Sequence, residues 1–209
     1  MAGPVKIAAI VGTYRKGGVI DQALDEMLAS AQEEGALVTK IYLLDMQIEF
    51  CTNCRLCTQQ AGFSRGICPI ADQMTRVLDL IEASDAIVLA SPVNFGTVTA
   101  LMKRFMERLV CYAYWPWGML APKARRRQLS KPAVLVASSA APALLARFAT
   151  PVVKLLKQAA GLLGAKTVGV LFIGLAAQQS HHDPGGRIRK KARLLGKKLA
   201  SGRLQVKPA

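Results

Sequence analysis

Five short apolar runs rich in Val, Ile and Leu recur along the chain, at residues 5–11, 38–43, 86–90, 133–137 and 167–173. Each is bounded by turn signals and reads as a strand. Between and after them, apolar residues at three and four spacing mark helices over 21–34, 72–82, 98–110, 148–163 and 187–200. Alternation of this kind predicts a parallel sheet, because a crossover between parallel strands needs a helix and is right-handed. The fold class expected is α/β, a three-layer sandwich around a five-stranded parallel sheet. Ligands of such sheets bind beyond the C-terminal strand ends, where the strand order reverses. Asp21 and Asp72 stand where helix N-caps belong.

With 209 residues, 52% of them apolar and 20% charged, the chain suits a single domain over 1–209 that buries its own core without disulfides. Residues 51–69 and 112–131 are long connections that read as insertions, the first cysteine-rich and the second aromatic and basic. No apolar run approaches the roughly 20 residues of a bilayer-spanning helix. The first run passes straight into Gly12-Thr13-Tyr14-Arg15-Lys16 without a cleavage signal, so a cytoplasmic protein is expected. Its five cysteines would there be metal ligands, redox centres or core residues. Cys111, after an apolar helix, reads as a buried small hydrophobe.

Charge divides the chain: residues 1–107 hold 9 Lys/Arg and 12 Asp/Glu, whereas residues 108–209 hold 19 and 1. A field of that sign attracts nucleic acid, an anionic membrane or a phosphate-bearing ligand. No nucleic-acid module signature accompanies it, which ranks nucleic acid last. Arg125-Arg126-Arg127 and the cations of 187–198 read as solvated faces, the latter above an apolar stripe of Ala192, Leu195 and Leu199. His181 and His182, before Asp183-Pro184-Gly185-Gly186, mark a surface turn, and no hydrolase constellation is visible.

Two loops carry ligand chemistry. The first connection, Gly12-Thr13-Tyr14-Arg15-Lys16-Gly17-Gly18-Val19-Ile20-Asp21, puts glycines, a hydroxyl and two cations at a helix N-terminus, an anion site or else a flexible turn. It matches neither the dinucleotide fingerprint nor the Walker A pattern. The third strand runs into Ser91-Pro92-Val93-Asn94-Phe95-Gly96-Thr97, which offers amides, Asn94 and a ring to a flat heterocycle, or is a structural turn with Phe95 in the core. Cys51-x2-Cys54-x2-Cys57 lets one compact turn present three thiolates, and Cys68, followed by Pro69, supplies a fourth. That repeat suits a [4Fe–4S] cubane, with metal-free thiols and structural zinc as alternatives.

These motifs, with Leu101-x-Lys103-x-Phe105-x-x-Arg108, resemble those of the flavodoxin-like NAD(P)H-dependent FMN reductase and iron-sulfur flavoprotein family over nearly the whole chain. The resemblance implies a flavodoxin-like sandwich with the FMN phosphate at Thr13, Arg15 and the amides of Gly18, Val19 and Ile20. It implies the FMN ring against Pro92, Val93, Asn94, Phe95 and Gly96, with Ser138, Ser139 and Ala140 completing the site. The family usually has Asn and Thr or Ser where this chain has Val19 and Ile20. In iron-sulfur members a cluster and a flavin meet across subunits.

The function expected is an FMN-dependent oxidoreductase that passes electrons from NAD(P)H or another donor through FMN, with a [4Fe–4S] cluster, to a small-molecule or protein acceptor. The alternative is a non-enzymatic electron carrier or redox sensor that docks an acidic partner. Two Trp and two Tyr between Tyr112 and Leu120 look like interface or lid material, which predicts a homodimer or dimer of dimers, although they could instead cover one chain's own core.

Overall fold

The computed structural model describes residues 3–125, 128–178 and 183–202. In chain order the elements are β1 (Lys6–Val11), α1 (Val19–Glu33), β2 (Leu37–Tyr42), α2 (Met74–Glu82), β3 (Ala86–Pro92) and α3 (Ala100–Arg108). There follow β4 (Ala113–Tyr114), β5 (Lys123–Ala124), β6 (Lys131–Ser138), α4 (Ala143–Ala149), α5 (Val152–Leu162), β7 (Ala165–Ile173) and α6 (Gly185–Ala200). Five parallel strands form one sheet in the order β2-β1-β3-β6-β7. The chain leaves β1 for β2 on one side and returns to β3 on the other, so the order reverses between β1 and β3.

Strand side chains alternate between two cores, as the two-residue pleat requires. Ala8 and Ile10 of β1 with Ile87 and Leu89 of β3 pack beneath α2, α3 and α5. Their neighbours Ile7, Ala9, Ala86 and Val88 pack beneath α1 and α6. Burial on both faces is why these strands read as continuous apolar runs. The expected stripe of Ala192, Leu195 and Leu199 lies in that second core. Close approach of α6 to α1 depends on Gly196, where a Cβ would stand 2.0 Å from the Met27 carbonyl oxygen. Across the contact, Arg189 pairs with Glu26, Arg193 with Glu33 and Lys197 with Glu34. The basic second half thus spends part of its charge on the acidic first half.

Several expectations are corrected. The single helix over 148–163 is two, because Pro151 forces Thr150 to φ −120° and ψ 145° between α4 and α5. Asp21 is not the cap of α1; Gly18 is, and the Asp21 carboxylate reaches back to the Gly17 amide at 2.6 Å. Asp72 likewise precedes the capping residue Gln73, although its carboxylate accepts from the Met74 amide at 2.9 Å. Arg125 is no solvated cation but 6% exposed, while Arg126, Arg127, His181 and His182 lie outside the described residues. Among the described residues no helix is long and apolar enough to cross a membrane.

Candidate functional site

A cleft of about 620 Å³ opens at the C-terminal ends of β1, β3, β6 and β7. Thr13, Tyr14, Arg15, Lys16, Gly17, Gly18, Val19 and Ile20 form one wall. Pro92, Val93 and Asn94 form another, with Ser138, Ser139, Ala140, Ala176 and Ala177 opposite. At one end α1 begins on Gly18 with no side-chain cap, so its first-turn amides face outward as ready donors to an anion. Thr13 is buried and its hydroxyl accepts from the Arg15 amide at 3.2 Å, which fixes the turn carrying that guanidinium.

The loops are laced together by backbone. The Val93 amide donates to the Ser138 carbonyl at 2.7 Å, Ser139 to Ile173 at 2.9 Å and Ala176 to Ser139 at 2.9 Å. Thr99 caps α3 through the Met102 amide and donates its hydroxyl to the Gly12 carbonyl at 2.6 Å, tying the third loop to the first. Beneath the anion end, burial pushes the Asp21 carboxyl up, but bonds from Lys40, Tyr42 and the Gly17 amide overcome this and hold it below its ordinary range. Burial pushes the Lys40 ammonium down, but its bonds to Asp21, Asp25 and Tyr42 overcome this and hold it well above its ordinary value.

Of the thirteen flavin-contact residues expected from sequence, the structure brings all but Phe95 and Gly96 into this cleft. Asn94 and Thr97 exchange backbone hydrogen bonds around these two, which both have positive φ, 47° and 77°. Such a two-residue turn throws its tip outward, and Phe95 is 105% exposed rather than in the core. Ala176 and Ala177 were not foreseen. Their only sequence signal was their place just after the last strand.

Near the same end of the sheet, Cys51, Cys54, Cys57 and Cys68 line one small hollow of about 10 Å³ together with Arg55 and Arg108. Cys54 is exposed, Cys57 is buried, and Cys51 and Cys68 are half-buried. Burial, and then the neighbouring thiols of Cys68, Cys51 and Cys54, push the Cys57 thiol up to about 11, whereas the Leu56 amide draws Cys54 down. Among the described residues no three His, Cys, Asp or Glu side chains are grouped as around a single metal ion. Cys111 is 2% exposed in the core, as expected.

Three arginines hold this loop. Arg108, with its guanidinium 1% exposed and its partner Asp72 5% exposed, also donates to the Glu49 carbonyl at 2.9 Å and to Cys68 Sγ at 3.5 Å. Arg125 donates to the carbonyls of Cys57, Gly62 and Cys111. Gly66 passes so close beneath Cys57 that a Cβ would lie 1.7 Å from its carbonyl oxygen. Arg55 lies against the Trp115 and Trp117 rings. The aromatic insertion, folded back through the short antiparallel pair β4–β5, therefore covers the cysteine loop of its own chain.

Comparison with known proteins agrees with this layout. The family described as NADPH-dependent FMN reductase matches residues 5–179. An iron-sulfur flavoprotein of Archaeoglobus fulgidus is 36% identical over 112 residues, 54% of this chain and 49% of that protein. One from Methanocaldococcus jannaschii is 34% identical over 104 residues, 50% of this chain and 51% of that protein. This chain spans about half the length of the curated relatives it matches. The fold is that of an NAD(P)H:quinone oxidoreductase from Methanothermobacter marburgensis, with TM-score 0.72 and 16% identity, covering 95% of this chain and all of that one. An FMN-dependent NADH-azoreductase from Bacillus anthracis, solved with FMN, gives TM-score 0.70 and 12% identity over 94% of this chain and 99% of that one. With a five-stranded flavodoxin-like sheet, a cleft at its switch point and a family match over residues 5–179, the chain belongs to the NADPH-dependent FMN reductase family.

Proposed function

We propose that the chain is an FMN-dependent oxidoreductase of the cytoplasm that takes a hydride from NADH or NADPH and delivers electrons to a small-molecule or protein acceptor. The observation that carries this reading is the uncapped N-terminus of α1 opening, with Arg15, into a cleft of about 620 Å³ at the switch point of the sheet. The amides of Val19 and Ile20, the Arg15 guanidinium and the Thr13 hydroxyl suit the FMN phosphate. Pro92, Val93 and Asn94 on one wall and Ser138, Ser139 and Ala140 on the other would flank the ring. Bound FMN supplies the redox chemistry, a ring that takes two electrons as hydride and can release them one at a time. The chain's own part is to fix that ring by short loops and to meet the phosphate with prearranged donors.

The thiols of Cys51, Cys54, Cys57 and Cys68 would hold a [4Fe–4S] cluster as the outlet for single electrons. Four thiols in one hollow, with no His, Asp or Glu among the described residues that line it, fit that group. In a cubane each thiolate binds a different iron, so the sulfurs stand farther apart than around one zinc. Thr52, Asn53 and Cys54, which are exposed, are the part that would move to make room. Exposed apolar side chains, Phe95 after β3 and Leu144, Leu145 and Phe148 on α4, suit a second copy of the chain, hence a homodimer or dimer of dimers.

The test is protein purified without oxygen, analysed for flavin, iron and sulfide, and then mixed with NADH or NADPH. Bleaching of the flavin absorption is expected. A flavin-loaded chain that neither nucleotide bleaches would instead favour an electron carrier whose exposed Lys154, Lys157, Lys190 and Lys191 dock an acidic partner.

A further inference from the structure

Arg55 sits inside the cysteine motif, and its surroundings are unusual for a surface arginine. Its guanidinium carbon is 3.8 Å from the centre of the Trp115 ring and 4.2 Å from that of Trp117, well within cation–π range of both. One guanidinium nitrogen donates to the Trp115 carbonyl at 2.7 Å and to Pro116 at 3.3 Å. Arg55 is left-handed, at φ 59°, a conformation that a residue of its kind keeps only when the surroundings impose it. What imposes this one is on the Arg55 side of the turn. The Trp115 amide donates to the Thr58 carbonyl at 2.9 Å, the Thr58 hydroxyl donates to the Arg55 carbonyl at 2.8 Å and the Gln59 amide group also reaches Arg55. The Trp117 amide closes the set on Gln59 Oε1 at 3.1 Å. Thr52, Asn53 and Cys54, by contrast, are exposed.

We propose that Arg55, gripped by Trp115 and Trp117, is a positioning residue: it anchors residues 55–59, and with them Cys57, within the cysteine loop. The aromatic insertion then serves first to seat the cysteine loop and only its outer edge is left for another molecule. Any benefit to cluster assembly rests on the cluster reading above, but the anchoring itself does not.

Hydrogen exchange of the whole flavin-loaded chain, read residue by residue before iron is added, tests it. Arg55→Ala should speed exchange at the Thr58, Trp115 and Trp117 amides at least about tenfold, with the β3 amides and FMN affinity unchanged. Arg55→Lys should behave like Arg55→Ala, because a lysine keeps the charge and loses the planar stack. In the chain that keeps Arg55, Trp115→Phe with Trp117→Phe, which preserves two ring faces, should retain most of the protection. Iron and sulfide reconstitution should then fill Arg55→Ala several-fold less than the parent. Unchanged exchange in Arg55→Ala, full protection in Arg55→Lys, or a rise shared equally by β3 would overturn the anchor. Because exchange needs no metal, a parent chain that takes up no iron overturns the cluster reading while the anchor is still decided by exchange.

Discussion

The cleft is walled by short loops that leave β1, β3, β6 and β7 directly and bond to one another through backbone groups at Val93, Ser139 and Ala176. The cysteine loop is a long excursion between β2 and α2 with backbone ties to the segment after α3 only at Thr58 and Gly66 among the described residues. For the rest, Arg108 and Arg125 donate to its carbonyls and its own Arg55 donates to those of Trp115 and Pro116. Backbone lacing tolerates most side-chain changes, whereas side-chain lacing fails when one residue goes. The difference teaches that the cleft inherits its geometry from the sheet and the cysteine loop from a few individual arginines.

The largest expected effect breaks the second arrangement. Arg108→Met leaves Asp72 buried without its partner and should cost about 3–5 kcal/mol of stability in urea unfolding of the metal-free chain. Removing both charges in Arg108→Met/Asp72→Leu should recover much of that loss. Burial pushes the Asp72 carboxyl up, but bonds from Arg108 and from the Glu49 and Met74 amides overcome it and hold the group below its ordinary range. With the folded-state value depressed, the pair's contribution is whole at neutral pH and is lost as pH falls below about 4 and through the folded value. The acid limb of the stability profile should accordingly be shallower in the double variant.

Next in size, Arg15→Ala should weaken FMN binding by about 1.5–3 kcal/mol, the worth of a hydrogen bond to a charged group, without changing the unfolding midpoint. Calorimetric titration of the two proteins checks it, and an unchanged affinity would remove Arg15 from the phosphate site. Thr99→Ala strips the cap of α3 and the tie to Gly12, both inside the cleft scaffold, and should cost about 1 kcal/mol of stability. A loss as large as that at Arg108 would show the cleft to be as dependent on single side chains as the cysteine loop. Smallest of all, Phe95→Gly relieves a left-handed phenylalanine that touches little and should change stability by at most about 1 kcal/mol, in the stabilising direction. A large loss of FMN affinity there would return Phe95 to the ring site.

This contrast also decides what was legible in the sequence. Strand runs, helix periods and the topological rule located the cleft, because residues 12–20 follow β1, while 92–94 and 138–140 begin on the last residues of β3 and β6, and strand ends are what such patterns mark. The four cysteines declared themselves by spacing. What holds them did not: Arg55 is one basic residue among exposed neighbours, Arg125 heads a run of three that reads as solvated, and their partners are carbonyls 14 to 68 residues away. Carbonyls carry no sequence signal. Thr150-Pro151 did carry one, since proline disfavours helix in the residue before it, yet the apolar period ran through the break.

The central claim is that the cleft takes FMN by its phosphate at the start of α1. Titrating flavin-free protein with FMN and with riboflavin, which differ by that phosphate alone, tests it most directly. The account predicts one FMN per chain and riboflavin binding weaker by at least about tenfold, narrowing to a few-fold in Arg15→Ala. Equal affinity for the two flavins would contradict it.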